Sequence, residues 1–242
     1  MDILLIGSQG PQVVALQRAL NDALPAWPAL TPDGVYGGLT FDAVMEFQLE
    51  NWLVMDGIAG PCTQNALYKT EAYDPILNSP PFIPQPTQQT CWAASTAMIT
   101  NANVPAVIAR TPADLILADG SLANASNTND AFTSATRFAQ ANSIRLISAA
   151  SSLTLDFIRT ALADGPLMFD MLWEPGKYIA GTGSPGHMIV VVGIRGDNDP
   201  SGVGTTLRIF DPWAPNVGEQ RSFNFFKWMN EVSTRTYHVY QK

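Results

Sequence analysis

The chain has 242 residues and a mass of 26.1 kDa, which corresponds to one large domain or two small ones. Its net charge of −8 provides no basic surface for nucleic acid or anionic lipid, so we expect neither as a partner. No apolar run approaches the ~20 residues that cross a bilayer, so we expect no membrane span. With only two cysteines and two histidines, a disulfide scaffold, a metal site or a cofactor is not expected either.

The first 72 residues combine a helical stripe with an internal repeat. Residues 12–24 carry apolar side chains at helical spacing, and the segment 33–40, Asp-Gly-Val-Tyr-Gly-Gly-Leu-Thr, recurs at 56–63 as Asp-Gly-Ile-Ala-Gly-Pro-Cys-Thr. Asp-Gly favours a tight turn, the next glycine permits a positive φ, and the threonine is expected to cap the following helix. The pattern predicts three short helices joined by two equivalent turns, around a core of Leu16, Leu20, Val44, Phe47, Trp52 and Leu67.

This pattern resembles that of the bacterial peptidoglycan-binding domain, a three-helix module. The resemblance covers residues 3–70 and rests on the segment 7–17 (Gly-Ser-Gln-Gly-Pro-Gln-Val-Val-Ala-Leu-Gln), on the two turns and on Phe47-Gln48. It implies a wall-binding domain over residues 1–72 with peptidoglycan as its partner, and it does not identify the residues that contact the ligand.

The chain after this domain is expected to mix helices and strands. Five prolines between Tyr73 and Thr90 predict an extended linker, placed at residues 73–84, because proline disfavours both helix and central strand. Helices are then predicted at 91–100, from 111, at 130–141 and at 153–163. Short β-branched and aromatic segments follow at 167–173, 187–194, 207–210 and 236–240. Helices first and strands afterwards indicate an α+β domain over residues 85–242, with an antiparallel sheet.

Cys91 is the first candidate for chemistry because it opens a predicted helix. The positive end of the helix dipole favours the thiolate form of a thiol at that position. A nucleophilic cysteine also needs a base, and the chain offers only two histidines. His187 stands where an apolar strand emerges from a loop and is the favoured base, whereas His238 is expected to be a partly exposed structural residue. Cys62, inside the repeat, is expected to be a packed side chain.

The group that orients the base is expected to be an Asp, Asn or Glu. Asp211 follows a strand and precedes Pro212-Trp213. Pairing of strands 187–194 and 207–211 as antiparallel neighbours is nevertheless expected to leave His187 and Asp211 at different ends, unless the hairpin loop is asymmetric. From the residues alone, four other acceptors stay open, of which the first two fit a turn better: Asp197, Asp199, Asn216 and Asn224.

Three segments resemble those of papain-like cysteine peptidases. The segment Gln85-x5-Cys91-Trp92-Ala-Ala-Ser is similar to their nucleophile segment, and Gly186-His187 and Asp211-Pro212-Trp213 are similar to the base and orienter segments of bacterial members. The resemblance covers residues 81–240 and is greatest to the effector and bacteriocin-leader peptidase branches. It departs from the plant enzymes, which have Asn as the third residue.

The resemblance also implies roles for these residues. Cys91 would attack a carbonyl carbon, His187 would carry the proton, and Asp211 would hold the imidazole in the correct tautomer. The backbone N–H of Cys91 and the side-chain amide of Gln85 would stabilise the oxyanion. Gln88 and Gln89 are rivals for the role of Gln85, but they lie where the chain must turn into the helix.

Together these features predict a papain-like thiol hydrolase, a peptidase or amidase, that is targeted to the bacterial cell wall and cleaves a peptide or amide bond in peptidoglycan. One alternative is a secreted effector or toxin protease that cleaves a protein of a target cell, with an immunity protein as a further candidate partner. A second alternative is a non-catalytic wall-binding protein. Because the first residues lack a basic n-region, we expect a cytoplasmic protein that is exported without a cleavable signal peptide and acts at the wall or periplasm of a target cell.

Overall fold

A computed structural model describes residues 2–123, 131–151, 153–174, 177, 185–197, 199–231 and 237–242. Over these ranges the helices are α1 (Pro11–Ala23), α2 (Gly38–Glu50), α3 (Pro61–Tyr68), α4 (Cys91–Thr100), α5 (Val104–Arg110), α6 (Ala131–Ala141), α7 (Leu155–Asp164) and α8 (Phe225–Glu231). The strands are β1 (Tyr73–Leu77), β2 (Arg145–Ser151), β3 (Leu167–Leu172), β4 (Gly186–Gly196), β5 (Thr205–Asp211), β6 (Glu219–Asn224) and β7 (Tyr237–Gln241). Helices followed by an antiparallel sheet confirm the predicted α+β class. The predicted first residues of the helix at 130 and of the strand at 236 lie outside the described ranges.

The chain divides into two compact units. The first contains Met1–Pro75 together with Arg195–Leu207 and Ser222–Phe226. The second contains Ile76–Ile194, Arg208–Arg221 and Lys227–Lys242. The predicted domain boundary at residues 72–84 stays a prediction, and the chain there includes the short strand β1 rather than linker alone. In the described part of the chain, no helix is both long enough and apolar enough to cross a membrane.

The three helices of the first unit pack around a small apolar core. Five of the six predicted core residues are buried there, namely Leu16, Leu20, Val44, Phe47 and Leu67. The prediction was wrong for Trp52, which is only half-buried and adopts a positive φ of 44° in the turn after α2. The turn directs Leu53 into the core instead, where it is 2% exposed.

Two buried glutamines organise the repeated turns in the same way. Gln17 Nε2 donates to Asp33 Oδ1 (2.9 Å) and to Thr40 Oγ1 (3.1 Å), while its Oε1 accepts from Gly34 N (3.0 Å). Gln48 makes the equivalent three bonds to the second copy, with Asp56, Thr63 and Gly57 as its partners. A buried amide with its donors and acceptor satisfied stabilises the turn without an unpaired polar group.

The expected threonine cap was wrong in both copies. Helices α2 and α3 begin after Gly37 and Gly60, and neither has a side-chain cap. Thr40 and Thr63 therefore lie inside the first turn of each helix, where their hydroxyls accept from the buried glutamines. The helices start early because glycine or proline at the turn permits the chain to enter the helix before the threonine.

The second unit packs its helices on one sheet. Helix α4 has the predicted bounds, and its residues Trp92–Ile99 are all buried, as in a helix that is apolar on every side. The core around it includes Met98, Phe138, Met168, Val190, Val192 and Tyr240. The helix predicted from Thr111 was wrong: Thr111 ends α5, and Pro112 is followed only by a 3-10 turn, Ala113–Leu115.

The sheet places β4 at its centre. Among the described residues the strand order is β2-β7-β3-β4-β5-β6, and β1 also pairs with β4. Strands β3 and β4 are antiparallel, with Met171 opposite His187 and Leu167 opposite Val191. The sequence patterns missed β1, β2 and β6, because β1 contains Pro75 and the other two are rich in small or polar residues. Proline is tolerated where a strand lies at a sheet edge.

Arg195, a buried arginine at the end of β4, contacts residues that follow the helices of the first unit. The Arg195 guanidinium donates to both carboxylate oxygens of Glu71 at 2.8 Å and to Asn51 O at 2.6 Å. It also lies over the Trp52 ring, 5.1 Å from the centroid. The side chains of Arg195 and Glu71 are only 7% and 11% exposed, so each depends on the other for its compensating charge.

Replacing Arg195 by Ala should therefore destabilise the protein strongly. The change leaves Glu71 buried without its cation, and we expect the free energy of unfolding to fall by roughly 3–5 kcal/mol, as measured by chemical denaturation. Arg137→Ala is the control, because it removes an exposed ion pair with Asp114 and should change stability little. Equal effects of the two variants would contradict the structural importance of the buried pair.

Candidate active site

The candidate nucleophile lies at the first residue of a buried helix. Cys91 opens α4 and is partly buried, and both cysteines of the chain are free. The helix start is fixed by Trp92, whose indole Nε1 donates to Gly120 O at 3.1 Å and whose ring packs edge-on against Phe138. The Thr90 hydroxyl accepts from Thr87 N at 3.1 Å and closes the turn that leads into the helix. The thiol is thus held by a rigid element and remains reachable.

The structure brings His187 and Asp211 into direct contact. His187 Nε2 lies 2.6 Å from Asp211 Oδ1. The expectation that strand pairing separates them was wrong, because the first residues of β4 and the last residues of β5 meet at the open end of an antiparallel hairpin, opposite its turn. No asymmetric loop is needed.

Cys91 is the second group that acts on the imidazole. The thiol is within hydrogen-bonding reach of His187 and acts on its titration. Since Nε2 is engaged by Asp211, Nδ1 is the ring nitrogen left for the thiol. Three residues separated by 96 and 24 positions along the chain therefore meet as thiol, imidazole and carboxylate.

The electrostatics of the three groups favour a protonated imidazole. Burial lowers the pKa of His187, but the Asp211 hydrogen bond and the neighbouring Cys91 outweigh that effect and raise the pKa from 6.5 to about 9. For Asp211, burial raises the pKa, and the His187 bond together with Trp213 N and Arg221 brings it below its usual value. The pair thus adds stability that is lost as pH rises through about 9 or falls through the lowered Asp211 pKa.

Two further donors hold the carboxylate of Asp211, and sequence reasoning missed both. Trp213 N donates to Asp211 Oδ1 at 3.0 Å, and Arg221 Nη2 donates to Asp211 Oδ2 at 3.0 Å. They fix the carboxylate plane, so the acceptor for His187 is oriented before any substrate arrives. The bond from Trp213 N could have been expected from the turn after Asp211, whereas nothing in the sequence around Arg221 indicates a bond to Asp211.

Ser95 was also missed as a positioning residue. Its hydroxyl donates to Met188 O at 3.0 Å, one residue beyond His187 in β4. Ser95 lies one helical turn after Cys91, so this bond ties the thiol-bearing helix to the imidazole-bearing strand. The four-residue spacing from Cys91 was the signal that was available in the sequence.

Gln85 is fully buried beside the loop that follows Asp211. Its backbone N–H donates to Pro212 O at 3.0 Å, and its carbonyl accepts from Asn216 N at 2.8 Å. Its side-chain Nε2 donates to Thr87 O at 2.7 Å, whereas Oε1 is buried without a partner among the described residues. An amide nitrogen has two hydrogens, so one N–H of Gln85 remains for another acceptor.

The rival residues take other roles. Asp197 and Asp199 accept backbone N–H bonds within the hairpin turn, as their sequence context predicted, and the Asn224 amide donates to Val203 O and Thr205 O. Asn216 supports Gln85 through its backbone. Neither glutamine rival is buried like Gln85, since Gln88 is exposed and Gln89 is half-exposed.

The other histidine is not the partly exposed residue that the sequence predicted. His238 is 3% exposed, because β7 lies inside the sheet between β2 and β3. It stands opposite Asp170 of β3, with His238 Nδ1 and Asp170 Oδ2 3.4 Å apart. Cys62 is partly buried against the helical core of the first unit, and its Sγ donates to Val203 O at 3.3 Å.

A cysteine at the start of a buried helix, facing a histidine–aspartate pair at one end of an antiparallel sheet, defines the class of cysteine peptidases. Residues 80–231, more than half of the chain, match the family described as papain-like cysteine protease AvrRpt2, and the chain belongs to that family. It is accordingly a hydrolase of the cysteine-peptidase type. Residues 9–67 match the putative peptidoglycan binding domain, which supports peptidoglycan as a partner.

Relatives of known name share parts of the chain. The N-acetylmuramoyl-L-alanine amidase CwlL of Bacillus licheniformis is 42% identical over 65 residues, which are 27% of this chain and 18% of that protein. The SleB N-terminal domain is 32% identical, covering 28% of this chain and 92% of that one, with a TM-score of 0.26. The Burkholderia AP3 phage endolysin is 26% identical, covering 57% and 52%, with a TM-score of 0.27. The chain thus spans less than a fifth of the amidase and about half of the endolysin.

The raised pKa of His187 can be measured directly, because the chain has only two histidines. In a proton NMR titration we expect one imidazole to titrate near pH 9. Asp211→Asn removes the leading cause that raises the pKa, so this titration should move to lower pH. A His238→Gln variant assigns the resonance, and Asp199→Asn serves as the charge-matched control that should leave it in place. An unshifted titration in Asp211→Asn would contradict the assigned contact.

Proposed function

We propose that this chain is a papain-like thiol hydrolase that cleaves a peptide or amide bond in peptidoglycan through Cys91, His187 and Asp211. The observation that carries the proposal is the 2.6 Å contact between His187 Nε2 and Asp211, which leaves the other ring nitrogen, Nδ1, for Cys91. The wall substrate is supported by the peptidoglycan-binding match at residues 9–67. The named amidase is similar to 27% of this chain, which agrees with a wall substrate.

The proposed reaction follows from the position of each atom. His187 Nδ1 takes the thiol proton of Cys91, and the thiolate attacks the carbonyl carbon of the scissile bond. The imidazolium then gives its proton to the leaving amine as the C–N bond breaks and a thioester forms. Water, deprotonated by His187, hydrolyses the thioester and restores the thiol. Asp211 keeps the ring in the tautomer and orientation that both steps need.

The oxyanion of each tetrahedral intermediate needs donors that are oriented in advance. We assign the Cys91 backbone N–H, which lies at the start of α4 and has no partner within the helix. The second donor is the remaining N–H of the Gln85 amide. The Thr87 carbonyl holds the other N–H, so the amide is fixed before the substrate binds. A buried, partly unsatisfied amide costs stability, as expected for a group kept for function.

The N-terminal module would raise the concentration of the thiol at the wall. Linking a binding module to a catalytic one makes the second encounter intramolecular, which increases effective affinity without any new contact at the active site. The site of action in this proposal is the cell wall or periplasm of a target cell.

A protein substrate is the second candidate. The family that residues 80–231 match is described as a protease, which favours a polypeptide over a wall amide as the cleaved chain. In that case the chain is a secreted effector or toxin, and the wall module aids its delivery or retention. An immunity protein in the producing cell would be its further partner.

Cys91→Ala should abolish hydrolysis of purified peptidoglycan. The nucleophile is lost while residues 9–67 are untouched, so wall pull-down should persist. Mass spectrometry of digested wall fragments should show new stem-peptide or cross-link products with the wild type and none with Cys91→Ala. The masses of those products would identify which bond is cut.

Cys62→Ala is the matched control for this experiment. It removes the other thiol of the chain, whose pKa is raised by burial, and it should leave the digestion products unchanged. Products that persist in Cys91→Ala would exclude the proposed nucleophile. Intact wall fragments together with labelling of Cys91 by a thiol-reactive electrophile would exclude peptidoglycan and favour a protein substrate.

Gln85→Ala tests the oxyanion donor. Removal of one such donor lowers kcat by roughly 100- to 1000-fold in other hydrolases, and we expect a loss of that order with little change in KM. Gln88→Ala, the same substitution at an exposed neighbour, should retain full activity. The thermal midpoint of each variant must accompany the kinetics, because Gln85 is buried; a kcat loss restored by Gln85→Glu would contradict the role.

A further inference from the structure

The first copy of the repeat forms an open groove in the first unit. Its volume is roughly 530 Å³, and its lining includes Gly10, Val14 and Gly34 with Arg18 and Asp33. Gln17 bonds to the turn from its buried side, and the groove lies on the opposite, outer side of the turn. The hydrogen bonds of Gln17 therefore leave the groove accessible.

In the second copy of the repeat an aromatic ring lies against the corresponding turn. When the copies are aligned on Gln17 and Gln48, Gly10 corresponds to Phe41. A Cβ built on Gly57 would collide with the Phe41 ring, which therefore covers that turn. In the first copy a Cβ built on Gly34, the counterpart of Gly57, would approach Val14 Cγ2 at 3.0 Å and Gly10 O at 3.2 Å, and a Cβ built on Gly10 would meet nothing within 4 Å. The two copies share one turn but differ on its outer side, where an aromatic ring covers the second copy and Gly10 and Val14 line the groove of the first.

Opposite charges line this groove. Arg18 is exposed, and its guanidinium has no hydrogen bond or ion pair with any protein group in the described ranges. It is one of only two basic residues in the first 70, the other being Lys69. Hydrogen bonds from Gln17 and Val35 N hold the pKa of Asp33 below its usual value, so this carboxylate is ionised at neutral pH.

We propose that the groove binds the stem peptide of peptidoglycan, with a stem carboxylate on Arg18 and a stem ammonium group beside Asp33. Stem peptides carry both charges where they contain a diamino acid with a free amine, whereas the glycan chain carries no ammonium group. Arginine suits the role because its planar fork binds a carboxylate through two parallel hydrogen bonds. The proposal rests on the proposed function only in taking peptidoglycan as the target.

The test uses the full chain carrying Cys91→Ala, so that the ligand is not cut. The probe is a purified disaccharide–tetrapeptide with a free diamino-acid amine, and binding is measured by isothermal titration calorimetry. Adding Arg18→Gln should raise Kd about tenfold or more, the value of a charged hydrogen bond. Lys69→Gln, which removes the same charge outside the groove, should leave Kd within about twofold. Amidating the probe's carboxylates or acetylating its amine should each weaken binding.

A steric pair of variants gives an independent readout. Ala15→Trp should block the groove and abolish binding, whereas Leu49→Trp, on the exposed face of the second copy, should not. Equal losses in Arg18→Gln and Lys69→Gln, unchanged binding in Ala15→Trp, or no heat with the probe would each overturn the proposal. Digestion of peptidoglycan by the protein with an intact Cys91 stays the separate test of the proposed function, so either idea can fail without the other.

Discussion

The site depends on one hydrogen bond at the open end of the β4–β5 hairpin. That bond sets which nitrogen of His187 faces Cys91, and it is itself fixed by the register of two strands and by the donors on Asp211. The hairpin is held from the helical side as well, since Ser95 on α4 bonds to the backbone next to His187. The proximity of three residues that are distant in the sequence is therefore a consequence of sheet register and of one helix–strand contact.

Local patterns in the sequence predicted the parts of this site, but only the resemblance to papain-like peptidases predicted that they come together. Cys91 at a helix start and His187 before an apolar strand follow from local patterns, and the structure has both. Their contact depends on tertiary pairing, which local patterns do not encode, and a simple pairing argument separated His187 from Asp211. Arg221 shows the limit most clearly, because an arginine in a polar strand has no local feature that distinguishes a carboxylate partner from a solvated side chain.

The two histidines show how context decides what one residue type can do. Each lies beside an aspartate, but His187 Nε2 is 2.6 Å from its carboxylate, whereas His238 Nδ1 and Asp170 Oδ2 are 3.4 Å apart. His187 is at a strand end beside a thiol, and His238 is in a strand covered on both edges. The short charge-assisted bond raises the pKa of His187 and fixes its ring beside the Cys91 thiol.

The internal repeat shows which features of the turn both copies share and which surface features differ between them. Gln17 and Gln48 satisfy the same turn groups in the two copies, so each turn is complete from its buried side. The outer sides of the two turns differ: Phe41 covers the turn of the second copy, whereas in the first copy Gly10 bonds to Gly34 through its backbone and has no side chain. An aromatic ring over the turn stabilises the second copy by burying apolar surface. The first copy has no such ring and lacks that stabilisation. A groove beside an Arg18 that has no partner among the described residues is the arrangement that we attribute to ligand binding rather than to stability.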